Sequence, residues 1–237
     1  MKKSESKTYT QKKRLKNLKN LQKNHDRLSF EKKSFVNLII NNIFINSFIY
    51  CLILKLFGIK VGLNTKFRGP INFILKGKIK NIVFGNNLIF GKNITLKIRE
   101  EGKIFLEDKV YLDDNVRLIA AREGSIKINE GTNIGYGTII NSGGDVFIGK
   151  YCLISNNCNI NSSSHGLKKD NYIIGQKHLH GNVIIGDDVW LGGFVTVTYN
   201  TKLNEGSVVG ANSLVSRDLQ PFSINVGCPT KKISVRK

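Results

Sequence analysis

A strict six-residue repeat of aliphatic residues dominates residues 183–216. The repeat places an aliphatic side chain at every sixth position: Ile185, Leu191, Val197, Leu203, Val209 and Val215. Helices repeat every 3.6 residues and strands every two, so neither alone produces this period. A triangular solenoid does, because each short strand turns one side chain inward and three steps close one coil. An ordinary antiparallel sheet with glycine turns would not hold one phase for so long.

The same phase runs back to Asn81 in a less regular form. The further inward candidates are Phe84, Phe90, Leu96, Leu106, Leu112, Leu118, Ile128, Ile134, Ile140, Ile148, Ile154 and Ile160. Early coils take 22 residues instead of 18, as from Phe84 to Leu106. We therefore expect extra residues at one corner of each early coil, at 99–102, 122–124 and 142–145, where they form a solvated ridge.

The regular pattern is interrupted by an insertion at residues 162–182, SSSHGLKKDNYIIGQKHLHGN. A solenoid tolerates an insertion because each coil contacts only its neighbours, and long excursions often carry function. Three of the four histidines, His165, His178 and His180, lie in the insertion. A neutral imidazole can accept a proton from a hydroxyl near pH 7. The insertion is therefore the predicted catalytic segment.

The stretch from Gly206 to Ile233, GSVVGANSLVSRDLQPFSINVGCPTKKI, resembles the C-terminal end of hexapeptide-repeat O-acetyltransferases of the maltose, galactoside and polysaccharide branch. The resemblance extends over about residues 82–233. It implies an all-β fold, a left-handed parallel β-helix with an N-terminal helical cap, whose acetyltransferase domain occupies residues 61–233. The left-handed sense rests on the resemblance alone, since general rules favour the opposite hand.

The resemblance also implies a reaction, the transfer of acetyl from acetyl-CoA to a saccharide hydroxyl with His165 as general base. The positions that match the family's cofactor site are Trp190, Gly192, Gly193, Ala211, Ser216, Arg217, Lys231 and Lys232. Asn141, His178 and His180 are candidates for the acceptor side. The family works as homotrimers, so a homotrimer is expected, and we expect no metal because no histidine follows His180 on a later wall.

Several alternatives stay open at the level of the sequence. The acceptor could be a cell-surface polysaccharide, lipopolysaccharide, sialic acid or a nucleotide sugar. N-acetylation of an amino sugar is another reading, and a catalytically silent scaffold or membrane-docked binding module belongs to a different class. The sequence also departs from the family pattern at Leu203-Asn204 and at Gly227-Cys228-Pro229-Thr230.

The N-terminal part differs from the solenoid in composition. Residues 1–34 are basic and are predicted to be partly disordered, whereas residues 35–60 read as an apolar helix that caps the solenoid or touches a membrane. The net charge of +20 would suit a polyanion, but few aromatic residues accompany the N-terminal charges, so we do not expect nucleic-acid binding. We expect reduced cysteines, a cytoplasmic location, and peripheral contact of residues 1–57 with the inner face of the membrane.

Overall fold

The computed structural model describes residues 46–237. The predictions for residues 1–34, and for the first part of the apolar segment at 35–45, lie outside the described residues. Within the described range the chain forms one α-helix and short β-strands that stack into the three walls of a left-handed parallel β-helix. The predicted fold class is confirmed.

The first and third walls are parallel sheets of seven strands each. The first wall contains β1 (Lys60–Val61), β4 (Ile82–Phe84), β7 (Lys103–Leu106), β10 (Ser125–Ile128), β13 (Val146–Ile148), β18 (Val183–Ile185) and β21 (Thr201–Leu203). The third wall contains β3 (Asn72–Gly77), β6 (Thr95–Glu100), β9 (Arg117–Ala120), β12 (Ile139–Ser142), β15 (Asn159–Asn161), β20 (Thr196–Val197) and β23 (Leu214–Val215). Each coil therefore contributes one strand to each wall.

The second wall has nine strands, because the C-terminal tail extends it. Its strands are β2 (Lys66–Phe67), β5 (Ile89–Phe90), β8 (Tyr111–Leu112), β11 (Asn133–Ile134), β14 (Leu153–Ile154), β19 (Trp190–Leu191), β22 (Val208–Val209), β24 (Ser223–Val226) and β25 (Lys231–Val235). Strand β25 is antiparallel to β24, since the chain reverses through Gly227, whose φ is 99°. This antiparallel end departs from the purely parallel arrangement that the repeat predicts.

The predicted inward residues form the core. Every one of them, from Phe84 to Val215, is no more than 2% exposed. The structure adds a coil ahead of Asn81, with Val61, Phe67 and Phe73 turned inward at the same six-residue spacing. Phe67 stacks on Phe90 of the next coil, with 4.8 Å between ring centroids.

Helix α1 (Ser47–Leu56) closes the open end of this first coil. The side chain of Asn46 caps it by accepting a hydrogen bond from the N–H of Ile49 at 3.0 Å. Its buried face carries Tyr50 and Leu54, and the Tyr50 hydroxyl accepts a hydrogen bond from the N–H of Ile71. Burial raises the pKa of Tyr50. In residues 46–237 no helix has the length and apolar character needed to cross a bilayer.

The insertion interrupts the solenoid between the fifth and sixth coils. It contains two strands, β16 (Ser163–His165) and β17 (His178–His180), which pair as a separate two-stranded sheet, and a short 3-10 helix at Ile173–Gly175. Residues Ser164–Leu179 belong to a different compact unit from the solenoid.

Candidate functional site

The insertion is held together by its own polar contacts. The N–H of Gly166 donates to the carbonyl of Lys177 at 3.1 Å. The half-buried side chain of Gln176 accepts from the N–H of Lys168 at 2.8 Å and donates to the carbonyls of Lys168 and Asn171. These bonds join the first half of the segment to its second half.

Two of the three histidines meet within this unit. His165 ends β16 and His178 begins β17, and their ring centroids lie 4.2 Å apart at an angle of 46°. Both residues are exposed. The structure therefore brings the predicted base into contact with one of the predicted acceptor-side histidines.

The third histidine, His180, is the last residue of β17, after which the chain returns to the solenoid. A Cβ added to Gly143 would lie 2.7 Å from its Nδ1, so the imidazole packs directly against that corner of the solenoid. Partial burial lowers the pKa of His180, and the positive charge of Arg122 lowers it further. The neutral imidazole is thus favoured near pH 7.

Asn141 lies on the third wall and begins a short chain of polar contacts. Its Nδ2 donates to the Oδ1 of Asn161 at 3.4 Å. The same oxygen accepts hydrogen bonds from the N–H and the hydroxyl of Ser163, at 3.2 and 3.1 Å. The predicted acceptor residue is therefore linked to the first residue of β16.

The outer face of the second wall carries a shallow groove of about 690 Å³. Residues lining it include Tyr111, Leu153, Ser155, Asn156, Gly193 and Phe194. Beside it on the same wall, the Nε1 of Trp190 donates to the hydroxyl of Ser155 at 3.2 Å. The indole remains 49% exposed, so it presents an apolar face next to the groove.

Gly192 and Gly193 have different surroundings. The N–H of Gly192 donates to the carbonyl of Val209 at 2.8 Å, and a Cβ at this position would lie 2.6 Å from the backbone nitrogen of Ala211. A Cβ at Gly193 would find its nearest atom at 3.6 Å. Gly192 is thus required for coil stacking, whereas Gly193 borders open space.

The corner between the second and third walls presents unpaired backbone donors. In the part of the chain that the structure describes, the N–H groups of Asn156, Gly193 and Ala211 have no hydrogen-bond acceptor. They occupy the same position in the fifth, sixth and seventh coils. Backbone N–H groups in such a row can bind carbonyl oxygens or stabilise an oxyanion.

The C-terminal turn packs next to the last of these donors. The N–H of Gly227 donates to the hydroxyl of Ser213 at 2.9 Å, and the N–H of Thr230 donates to the carbonyl of Leu214 at 2.9 Å. The predicted cofactor residues of this region, Ser216, Arg217, Lys231 and Lys232, are all exposed. Their cations are available to anionic groups.

The cysteines have no partner among themselves in the described residues. Cys152 and Cys158 are buried on successive walls, and burial raises the pKa of each thiol to about 11. This burial suits a packing role for both side chains. Residues 46–237 contain no group of three His, Cys, Asp or Glu side chains arranged for a metal ion.

Sequence reasoning missed Asn156, Ser155 and Phe194. The repeat could have revealed Asn156, because this residue occupies the same position in its coil as Gly193 and Ala211 occupy in theirs. The insertion separates Asn156 from Gly193 by 37 residues, which hides the equivalence. Phe194 adopts a positive φ of 60°, a conformation that favours glycine and asparagine, and its side chain is 61% exposed.

Comparison with known proteins identifies the repeat. The family described as "Bacterial transferase hexapeptide (six repeats)" matches residues 170–217. The chain is 34% identical over 125 residues to a dTDP-4-amino-4,6-dideoxy-D-glucose acyltransferase of Escherichia coli, covering 50% of this chain and 65% of that protein. It is 31% identical over 111 residues to a probable macrolide acetyltransferase of Lysinibacillus sphaericus, covering 40% and 62%.

A solved structure shares the fold. It is AntD, an N-acyltransferase from Bacillus cereus, in complex with dTDP and 3-hydroxybutyryl-CoA. The TM-score is 0.56 at 23% identity, over 81% of this chain and 92% of AntD. The chain spans less than two thirds of the curated relatives named above. The resemblance to hexapeptide-repeat transferases is confirmed.

Proposed function

We propose that this chain, a β-helix carrying the bacterial transferase hexapeptide repeat, transfers an acetyl group from acetyl-CoA to a hydroxyl of a saccharide. The observation that carries the proposal is the row of open N–H groups at Asn156, Gly193 and Ala211, on a corner that adjoins the groove of the second wall. Amide and thioester carbonyls are acceptors, and a tetrahedral oxyanion is a stronger one. Such a corner suits the pantetheine arm and the reacting carbonyl.

In this proposal His165 acts as the general base. Its imidazole takes the proton from the acceptor hydroxyl while the oxygen attacks the thioester carbonyl. Collapse of the tetrahedral intermediate forms the ester and breaks the C–S bond, and the proton passes from the imidazolium to the departing thiolate. His178 contacts the ring of His165 and helps to orient it.

The proposed contacts match the successive chemical groups of acetyl-CoA. Gly193 and Ala211 supply N–H donors, and Gly192 allows the coils to stack closely enough to place them. Trp190 offers an apolar face to the pantetheine. Ser216 and Arg217, with Lys231 and Lys232, meet the phosphates. The proposed assembly is a cytoplasmic homotrimer in which the acetyl-CoA groove lies between neighbouring subunits.

The acceptor is proposed to bind on the side of Asn141 and His180. A second candidate function is N-acylation of an amino sugar, which is favoured by the name of the Escherichia coli relative. The two reactions differ in what the base must do, since a hydroxyl is a far weaker acid than an ammonium group. Loss of His165 should therefore reduce O-acetylation more than N-acetylation.

The first experiment follows acetyl transfer directly. Purified chain is incubated with acetyl-CoA and a panel of saccharides, including an amino-sugar nucleotide, and released CoA is separated by chromatography. Products are then treated with mild hydroxide, which cleaves an O-acetyl ester and leaves an N-acetyl amide intact. If no saccharide on the panel released CoA faster than spontaneous hydrolysis does, the non-catalytic scaffold would be favoured.

The second experiment tests the base. We expect His165→Ala to reduce turnover by about 10²- to 10⁴-fold, because it removes general base catalysis, and to leave acetyl-CoA binding unchanged by calorimetry. Lys169→Ala, an exposed change in the same insertion, is the matched control and should keep full turnover. A fully active His165→Ala variant would exclude the proposed role.

A further inference from the structure

Charge is distributed very unevenly along the described chain. Residues 46–99 contain no aspartate or glutamate, whereas residues 100–237 contain almost equal numbers of acidic and basic residues. The basic residues of the first stretch are Lys55, Lys60, Lys66, Arg68, Lys76, Lys78, Lys80, Lys92, Lys97 and Arg99. Helix α1, the first coil and most of the second coil are thus a uniformly cationic end of the solenoid.

The electrostatic consequence is visible at Lys97. Its pKa is lowered, first by partial burial and then by the neighbouring charges of Arg99, Arg117 and Lys76. Lys78 forms an ion pair with Glu101 at 2.8 Å. Because residues 46–99 themselves contain no carboxylate, their basic side chains give this end a positive field.

The same end exposes an apolar stripe. Phe48, Leu52 and Leu56 are four residues apart on α1 and are 73%, 47% and 86% exposed. They lie opposite the buried Tyr50 and Leu54, so the helix is apolar on two faces. Leu63, in the following corner, is 70% exposed. Side chains of this size are seldom left exposed together on a surface without a partner.

A groove of about 750 Å³ runs beside the stripe. Phe48, Leu52 and Leu63 line it on the apolar side, and Lys55 and Lys66 contribute cations. Apolar side chains bordered by lysines match the chemistry of an anionic phospholipid, in which acyl chains lie below a charged headgroup. A soluble polyanion would use the lysines but would leave the apolar side chains in water.

We propose that the exposed face of α1, together with Leu63 and the lysines around it, docks on an anionic lipid bilayer. Phe48, Leu52, Leu56 and Leu63 enter the interfacial layer, while Lys55, Lys60 and Lys66 face the headgroup phosphates. The helix lies along the surface, as amphipathic anchors do. This inference is independent of the proposed acyl transfer and goes beyond it.

The test is co-sedimentation of the intact chain with vesicles of phosphatidylcholine alone or with phosphatidylglycerol. We expect binding to the anionic vesicles that weakens as salt is raised, and little binding to the neutral ones. Phe48→Ser with Leu56→Ser should reduce the partition coefficient by about tenfold or more, because two large apolar side chains are lost. Lys55→Glu with Lys66→Glu should reduce it as well.

Matched controls come from elsewhere on the solenoid. Phe147→Ser with Ile184→Ser removes two exposed apolar side chains of the first wall, and Lys150→Glu with Lys202→Glu reverses two exposed charges of later coils. Both controls should bind vesicles as the unchanged chain does. Circular dichroism and melting curves establish that each variant is folded.

Three outcomes would overturn the proposal. One is vesicle binding that Phe48→Ser with Leu56→Ser leaves unchanged, which would show that other basic segments bind by charge alone. Another is equal binding to neutral vesicles. The third is a lower molecular mass of this variant by light scattering with no change in vesicle binding, which would show that the stripe contacts a second copy of the chain.

Discussion

The corner between the second and third walls differs between the middle coils and the last three coils of the solenoid. In the second, third and fourth coils, side chains occupy the backbone donors: the N–H of Lys92 donates to Asp114, that of Asp114 to Asp113, and that of Tyr136 to Asn156. In the next three coils the equivalent N–H groups of Asn156, Gly193 and Ala211 have no acceptor in the described residues. The backbone is the same, and the capping side chains are missing.

The comparison shows how a structural repeat becomes a binding surface. A carboxylate or amide closes the corner in the middle of the solenoid, from the following coil at Lys92 and Tyr136 and from the preceding residue at Asp114. Glycine and alanine cannot, so the donors stay open to an external acceptor. Stability and ligand binding therefore compete for the same hydrogen-bond donors, one coil at a time.

The largest effect is expected at Gly192, where the last coils stack closely at this corner. Gly192→Ala should lower the free energy of unfolding by about 2–3 kcal/mol, because its Cβ would meet the backbone of Ala211. Gly193→Ala should leave stability almost unchanged, since that Cβ has room. Denaturant unfolding of both variants measures the difference. Equal destabilisation would contradict the distinction between the closed and the open glycine.

The difference between the middle and the last coils can be tested directly by closing one of the open corners. Ala211→Asn places an amide where Asn156 caps Tyr136 in an earlier coil, so it should cap the N–H of Gly193. We expect acetyl-CoA binding to weaken by about tenfold or more, since a donor hydrogen bond to the ligand is lost and a side chain enters the groove. Calorimetry gives the dissociation constant.

Ala211→Ser is the matched variant for this change, because its side chain is small and does not extend as far as an amide. It should bind acetyl-CoA nearly as well as the unchanged chain. If Ala211→Asn also bound acetyl-CoA normally, the open corner would not be part of the cofactor site.

The reciprocal change opens a closed corner. Asp114→Ala removes the cap on the N–H of Lys92 and should lower the free energy of unfolding by about 0.5–1 kcal/mol, because the hydrogen bond is exposed. Acetyl-CoA binding should not change, since this corner lies outside the proposed site. A loss of binding with intact folding would show that the middle coils also contribute donors.

The smallest effect concerns a different corner, where His180 packs against Gly143. Because the pKa of His180 is lowered, the folded chain binds that proton less readily than the unfolded chain does. The folded state should therefore lose stability as the pH falls below the ordinary value of about 6.5 for histidine. His180→Gln should flatten this part of the melting-temperature profile, and NMR titration of the imidazole reports the pKa directly. An imidazole that titrates at or above the ordinary value would contradict the prediction.

The sequence by itself determined the period, and with it the core. A six-residue repeat is local, so each inward residue from Phe84 to Val215 can be predicted without knowing what it contacts. The same repeat continues through Val61, Phe67 and Phe73, but glycine, asparagine and lysine between them obscured the first coil. The position of His165 in the insertion was also readable, whereas its contact with His178 was not.

Only the tertiary structure decided which corners are closed and which exposed faces lack a partner. Apart from the cap of Asp114 by Asp113, the capping side chains named above come from the next coil. The next coil is about 20 residues away where no insertion intervenes and 37 where one does. That distance depends on how many residues each coil takes at its corners, which the inward repeat does not specify. The apolar stripe of Phe48, Leu52 and Leu56 likewise became visible only when Tyr50 and Leu54 were found to occupy the buried face. Periodicity selects which side chains point inward, but hydrogen bonding and exposure depend on what stacking brings next to them.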